Sequence, residues 1–250
     1  MREPLVVTEP KSSSVRETVR TLIYALLIAL GVRTFLYEPF NIPSGSMKPT
    51  LLVGDYLFVS KFAYGYSQYS FPFGLPLFSG RVLERLPERG DVAVFKLPSD
   101  NKTDYIKRIV GLPGDRIQVQ EGVLHINGEP VRLEPAGDFV ESGEGREARV
   151  PMFAETLPNG VTHRIMEMSS TGFLDNTRVY EVPPGHVFAM GDNRDNSLDS
   201  RVDQVGFVPI ENLIGRAEIL FFSVNGRAKL WEPWLWPWGI RYERLFRFIH

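Results

Sequence analysis

The stretch "DYIKRIVGLPGD", residues 104–115, decides how the rest of the chain is read. Tyr105, Ile106, Ile109 and Val110 are strand formers, and the Leu-Pro-Gly-Asp that follows is turn chemistry. As a strand it alternates, so Tyr105, Lys107 and Ile109 share one face. Lys107 then either sits between apolar neighbours or reaches past them to water. Segments of the same character recur on both sides: "DYLFVSKF" (55–62), "GDVAVFKL" (90–97), "DRIQVQEG" (115–122), "VLHINGEPV" (123–131), "HVFAMGD" (186–192) and "AEILFFSV" (217–224). Gly, Pro, Asp and Asn punctuate them, and "INGEPV" at 126–131 is a hairpin signal. A mainly β, antiparallel fold with few helices is expected. Residues 136–178 are more polar and irregular and suggest an inserted subdomain. No internal repeat is present.

The chain has 250 residues, 43% hydrophobic and 23% charged, enough for a real core. A net charge of -2 gives no basic field, so nucleic acid is not expected as a partner. Cysteine is absent, which excludes thiol catalysis, disulfides and cysteine-ligated zinc. The four histidines, His125, His163, His186 and His250, include no pair at metal-ligand spacing. A lone histidine is usually a surface or structural residue.

Behind a polar stretch at 1–18 comes "VRTLIYALLIALGVRTFLYEPF", 19–40, uncharged from Thr21 to Val32. At about 1.5 Å per residue, 19–38 is about 30 Å of helix, one bilayer core. Arg33 can snorkel, and Tyr37 and Phe40 suit an interface. A cleaved signal would need a small-x-small site, and none follows; a buried core helix is the other alternative. Read as an anchor, with Arg16 and Arg20 before it, the helix leaves 1–18 cytoplasmic and the bulk of the chain extracytoplasmic. Two further segments suit a lipid surface or a packed one: the aromatic run "YGYSQYSFPFGLPLF" (64–78), and "WEPWLWPW" (231–238) with Arg241, Arg244 and Arg247 after it.

Three segments carry chemistry. In "NIPSGSMKPTLLVGD", 41–55, Pro43 and Pro49 stiffen the chain around Ser44, Gly45 and Ser46. The motif fits a turn with solvated serines, or a nucleophile exposed next to a flexible glycine. A buried Lys107 would have a lowered pKa and could serve as its base. In "GDNRDNSLDSR", 191–201, a calcium loop beginning at Asp192 fails, because Arg194 and Ser197 stand where a ligand and a glycine belong. A solvated turn, or a rigid network of Asp192, Asp195 and Asp199 with Arg194 and Arg201 that places Ser197 beside Lys107, stays open.

"PSGSMKPTLLVGD", "RGDVAVFKLP", "DYIKRIVGLPGD" and "GDNRDNSLDSR", in this order behind an N-terminal apolar segment, resemble the bacterial type I signal peptidases over about residues 15–125 and 180–225. The resemblance implies a serine endopeptidase with a Ser/Lys dyad, Ser46 the nucleophile and Lys107 the general base. It implies that Ser44 and the Ser46 N–H stabilise the oxyanion, that Ser197 orients the lysine with Asp199 in support, and that Asp192, Arg194 and Arg201 form a structural charge network. Phe40, Ile42, Met47, Leu51, Val94, Tyr105 and Ile106 are the implied walls of shallow pockets for small residues at the -1 and -3 positions. The implied partners are preproteins bearing signal peptides and the lipid bilayer, with the translocation machinery a candidate; no cofactor or metal is implied. The implied place is the bacterial cytoplasmic membrane, single-pass, with the catalytic domain on the periplasmic side.

The implied layout is an anchor at 19–38, a β catalytic core at 39–115 and 183–250, and an inserted β subdomain at 116–182. The chain departs from some relatives in lacking a disulfide and a second anchor, and the tryptophan-rich tail matches no family motif. Two rival readings make different demands on the chain. A self-cleaving repressor would need a helix-turn-helix, which residues 1–40 do not offer. A catalytically inactive, membrane-anchored β-domain acting as a binding module would not need Ser46, Lys107 and Ser197.

Overall fold

The structure is a computed structural model that describes residues 15–71, 78–143, 146–225 and 232–249. The first fourteen residues of the expected cytoplasmic tail, residues 72–77 of the aromatic run, Trp231 and His250 lie outside the described residues. Helix α1 spans Val15–Phe35, with Glu17 in its first turn and Arg33 in its last, charges that complement the helix dipole. It begins and ends a few residues before the expected 19–38. Pro39 explains the early stop: it cannot continue a helix and biases Glu38 toward extended backbone. Among the described residues α1 is the one helix long and apolar enough to cross a membrane, with only 6% of its most apolar window buried.

Four strands follow: β1 (Tyr37–Asn41), β2 (Asp55–Ser60), β3 (Val92–Lys96) and β4 (Asp104–Gly111). Then come β5 (Arg116–Gln120), β6 (Val123–Ile126), β7 (Glu129–Pro130), β8 (Arg132–Gly143), β9 (Arg146–Thr156), β10 (Thr162–Met166) and β11 (Tyr180–Glu181). The chain closes with β12 (His186–Met190), β13 (Val208–Pro209), β14 (Leu213–Ser223) and β15 (Arg247–Phe248). The main sheet runs β1-β2-β14-β3-β4-β12-β13, with β15 added on β14; β5, β6, β7 and β11 form a second sheet and β8, β9 and β10 a third. The paired strands are antiparallel throughout. Pro39 is tolerated because β1 is an edge strand. The turn between β6 and β7 places Asn127 and Gly128 at positive φ, 57° and 89°, the backbone that Asn-Gly supplies most cheaply.

The middle of the main sheet is buried on both faces. Ala93 and Phe95 of β3 pack with Tyr64, Ile109, Val187 and Leu213; Val92 and Val94 pack on the other side with Ile42, Met47, Leu51, Leu57 and Val59. A third cluster of Val110, Ile117, Leu124, Leu157 and Phe188 joins the second sheet to β4 and β12. The described part of the aromatic run is packed away: Tyr64 is buried and its hydroxyl donates to Asp91 at 3.1 Å, and Ser67 and Ser70 cap a short 3-10 turn. The tail is divided. Trp236 packs 5.1 Å from Phe222 between ring centroids, whereas Trp234 and Trp238 are 67% and 70% exposed.

Candidate active site

Ser46 stands in the turn between β1 and β2, held from behind. Met47 beneath it is fully buried, and the Leu51 N–H donates to the Met47 carbonyl at 2.8 Å. From the 191–201 loop, the Asn193 N–H donates to the Ser46 carbonyl at 3.1 Å, and Asn193 Nδ2 to the Gly45 carbonyl at 3.0 Å. Thr50 Oγ1 donates to Asp192 Oδ2 at 2.5 Å. These bonds fix the turn while leaving the Ser46 hydroxyl at the surface of a cleft. Ser44 Oγ lies 3.5 Å from Ser46 Oγ, and among the described residues the Ser46 N–H makes no hydrogen bond.

Lys107 reaches this hydroxyl from β4. Its Nζ is 2.6 Å from Ser46 Oγ, and the residue is 4% exposed. The register explains how a lysine fits there: Lys107 is paired with Ala93 on β3, whose small side chain leaves room on that face. The Tyr105 ring lies 5.4 Å from Nζ. Burial draws the Lys107 pKa from 10.5 down to about 8; Asp199 and Asp192 hold it up, and Arg201 lowers it further.

The loop of residues 191–201 is rigid, but its network is not closed on itself as expected. Asp199 and Arg201 do pair within it, through two bonds of 2.9 Å, and the Gly191 N–H donates to Asp199 at 3.0 Å. Burial would raise the Asp199 pKa, yet Arg201 and these donors bring it below the usual range. Asp192 instead pairs across to Arg108 of β4, and Arg194 to Glu155 of β9 at 2.5 Å. Asp195 pairs with neither arginine; its carboxylate accepts from the Met168 N–H. Ser197 is buried and lines the cleft beside Lys107, and among the described residues no hydrogen bond joins the two. A Cβ on Gly191 would lie 2.2 Å from Ser197 Oγ and 2.6 Å from the Ser46 carbonyl, so only glycine allows the loop to seat against the Ser46 turn.

The open cleft holds about 650 Å³. Of the seven wall residues expected, Tyr105 and Ile106 line it, beside Leu198 and Val202. Phe40 opens into the neighbouring cavity with Tyr69 and Ile214. Ile42, Met47, Leu51 and Val94 are 0–3% exposed and form the packed layer on which Ile106 rests, so they are floor rather than wall.

Arg108, Glu155 and His163 carried no assigned role in the sequence, yet they form the buried scaffold behind the cleft. Arg108, fully buried, makes bonds of 2.9 and 2.8 Å to Asp192 and one of 2.7 Å to the Gly90 carbonyl. His163 lies 3.2 Å from Glu155, and burial and Arg108 lower its pKa, so it is a neutral structural histidine. Burial would raise Glu155, but Arg194 and His163 bring it down to about 2. Strand alternation was the available signal for Arg108: the residue after Lys107 must point to the opposite face. Glu155 and His163 meet this loop only through tertiary folding, so no local pattern announces them.

Residues 15–222 match the family described as "Signal peptidase, peptidase S26". The signal peptidase I of Rickettsia typhi is 40% identical over 260 residues, covering 96% of each chain, and that of Rickettsia akari is 42% identical over 246 residues, covering 91% of this chain and 90% of the relative. A crystal structure of a signal peptidase I from Enterococcus faecalis V583 matches 53% of this chain and 97% of its own, at 24% identity and a TM-score of 0.31, and adds nothing to the assignment. On the breadth of the family match and the near full-length relatives, this chain belongs to the signal peptidase family, peptidase S26, and is a serine peptidase.

Proposed function

We propose that the chain is a membrane-bound endopeptidase that removes N-terminal signal peptides from exported preproteins with a Ser46–Lys107 dyad. The observation that carries this is the 2.6 Å contact between a buried amine and an accessible hydroxyl. With its pKa near 8, Lys107 is partly neutral at physiological pH and can take the Ser46 proton. Ser46 Oγ then attacks the scissile carbonyl, and the developing oxyanion meets the Ser44 hydroxyl and the Ser46 N–H. The Lys107 ammonium returns its proton to the leaving amine, and the neutral amine next activates water to release the acyl group. Asp199, held by Arg201, supports Lys107 electrostatically, and Ser197 packs beside it. No metal or cofactor takes part in these steps.

The filled floor under Ile106 makes the cleft shallow, which favours small side chains at the -1 and -3 positions of the substrate. The uncovered apolar helix α1 serves as a single-pass anchor, with Arg16 and Arg20 on the cytoplasmic side and the β domain in the periplasm. Ser46 follows the helix by eleven positions, which suits cleavage close to the bilayer surface, and exposed Trp234 and Trp238 suit the same interface. The reading is tested by assaying Ser46→Ala beside the parent on one membrane-reconstituted preprotein. Loss of processing is expected. Equal processing by both would remove Ser46 from the mechanism and favour an anchored binding module.

A further inference from the structure

The turn that leads into Ser197 has an acidic flank that the dyad does not use. Glu167 follows β10, Asp175 lies in the loop between β10 and β11, and Asp195 sits in the turn of residues 194–196. One carboxylate oxygen from each lies within 4.8 Å of the other two. Glu167 is 8% exposed, and its Oε1 is buried without a hydrogen-bond partner among the described residues. Asp175 is 1% exposed and accepts from the Gly172 N–H; Asp195 Oδ2 accepts from the Met168 N–H at 2.6 Å. Among the described residues no lysine or arginine pairs with any of the three. The nearby guanidiniums are committed elsewhere, Arg194 to Glu155 and Arg201 to Asp199. Burial, with Asp195 and Asp175 beside it and Arg194 and Arg201 opposing, pushes the Glu167 carboxyl up to about 8.

We propose that Glu167, Asp175 and Asp195 form a binding site for a divalent cation of the calcium class on the wall of the catalytic cleft. The donors are hard oxygens, with no imidazole or thiolate among them, which suits calcium or magnesium over zinc or copper. Calcium bonds oxygen at about 2.3–2.6 Å, so ligands on opposite sides of one ion are separated by roughly 4.8 Å. Three oxygens at most 4.8 Å apart can share one calcium ion with a shift of no more than a few tenths of an ångström, whereas magnesium, at about 2.0–2.1 Å, tolerates less separation. Asp175 and Asp195 line the open cleft, which gives the ion a route of entry and room for water ligands. The bound ion ties together the end of β10, the loop before Asp175 and the turn that carries Ser197 and Asp199.

The test is calorimetric titration of the chelator-treated full chain in micelles, with calcium chloride and separately with magnesium chloride. The range extends to about 10 mM, because extracellular calcium modules bind at roughly 10⁻⁴–10⁻³ M. Calcium is expected to bind at one ion per chain, at least tenfold tighter than magnesium, and to raise the melting temperature by several degrees. Glu167→Gln and Asp195→Asn, which keep side-chain shape, are expected to weaken calcium binding at least tenfold. The inference is overturned if the parent neither binds calcium nor gains stability, if parent and folded variants bind equally, or if magnesium binds as tightly. The parent titration decides alone if a variant fails to fold, and it reads binding whether or not the dyad reading holds.

Discussion

Replacing Lys107 with methionine should make the protein more stable and inactive. The folded lysine has a pKa of about 8 against 10.5 for the free side chain. A lysine depressed in the fold costs stability in full below the folded pKa, and the cost fades as pH rises toward the unfolded value. At about 1.36 kcal/mol per unit, this shift corresponds to about 3 kcal/mol at pH 7. Methionine keeps a similar length and carries no charge, so the cost disappears. It also forfeits the bond to Ser46, worth about 1 kcal/mol net. The balance is a gain of about 2 kcal/mol at pH 7, or roughly 4–8 °C in melting temperature for a chain of this size. Scanning calorimetry of both proteins in the same micelles at pH 7 and pH 10.5 reads it. The gain should be present at pH 7 and largely lost at pH 10.5, with preprotein processing abolished at both. A variant less stable than the parent at pH 7, or a difference that does not change with pH, would refute the assignment of a buried amine with a depressed pKa.

Gly191→Ala would drive a methyl group to 2.2 Å from Ser197 Oγ and 2.6 Å from the Ser46 carbonyl. Overpacking of this kind costs about 1–3 kcal/mol, and a nucleophile moved by 1 Å loses roughly 100-fold in rate; kcat/KM within twofold of the parent would contradict the seating of the loop. Asp192→Asn leaves the buried Arg108 charge without its carboxylate and should destabilise by about 3–5 kcal/mol, measured by thermal unfolding. Arg132→Ala, at the exposed pair with Glu134, is the matching control and should leave the melting temperature unchanged.

The strands were legible because their composition and punctuation are local. "DYIKRIVG" became β4 over the same residues, and "INGEPV" became the β6–β7 turn. The long β8–β9 hairpin was not legible as strands, because much of it is exposed on both sides and no apolar alternation marks it. Helix α1 was displaced by a few residues, since the sequence shows an apolar run but not where β2 captures Tyr37 and Phe40. At the site, Ser46 and Lys107 lie 61 positions apart, too far for a local pattern to pair them, and only the resemblance of the motifs links them in the sequence. The wall residues were less legible. Ile42 and Met47 flank exposed positions in the same turn, and sequence alone does not say which of a run of apolar residues faces the cleft and which the core. Arg108 points to the opposite face from Lys107, and the carboxylate that neutralises it, Asp192, lies 84 positions away, so no local pattern marks it as buried.

The most direct test of Lys107 as the base for Ser46 is the pH dependence of kcat/KM on a single preprotein. A base with a pKa of about 8 is roughly one-tenth neutral at pH 7 and nine-tenths neutral at pH 9, so the rate should rise about tenfold across that interval and level off above it. A profile that is flat from pH 6 to 10 would contradict the account.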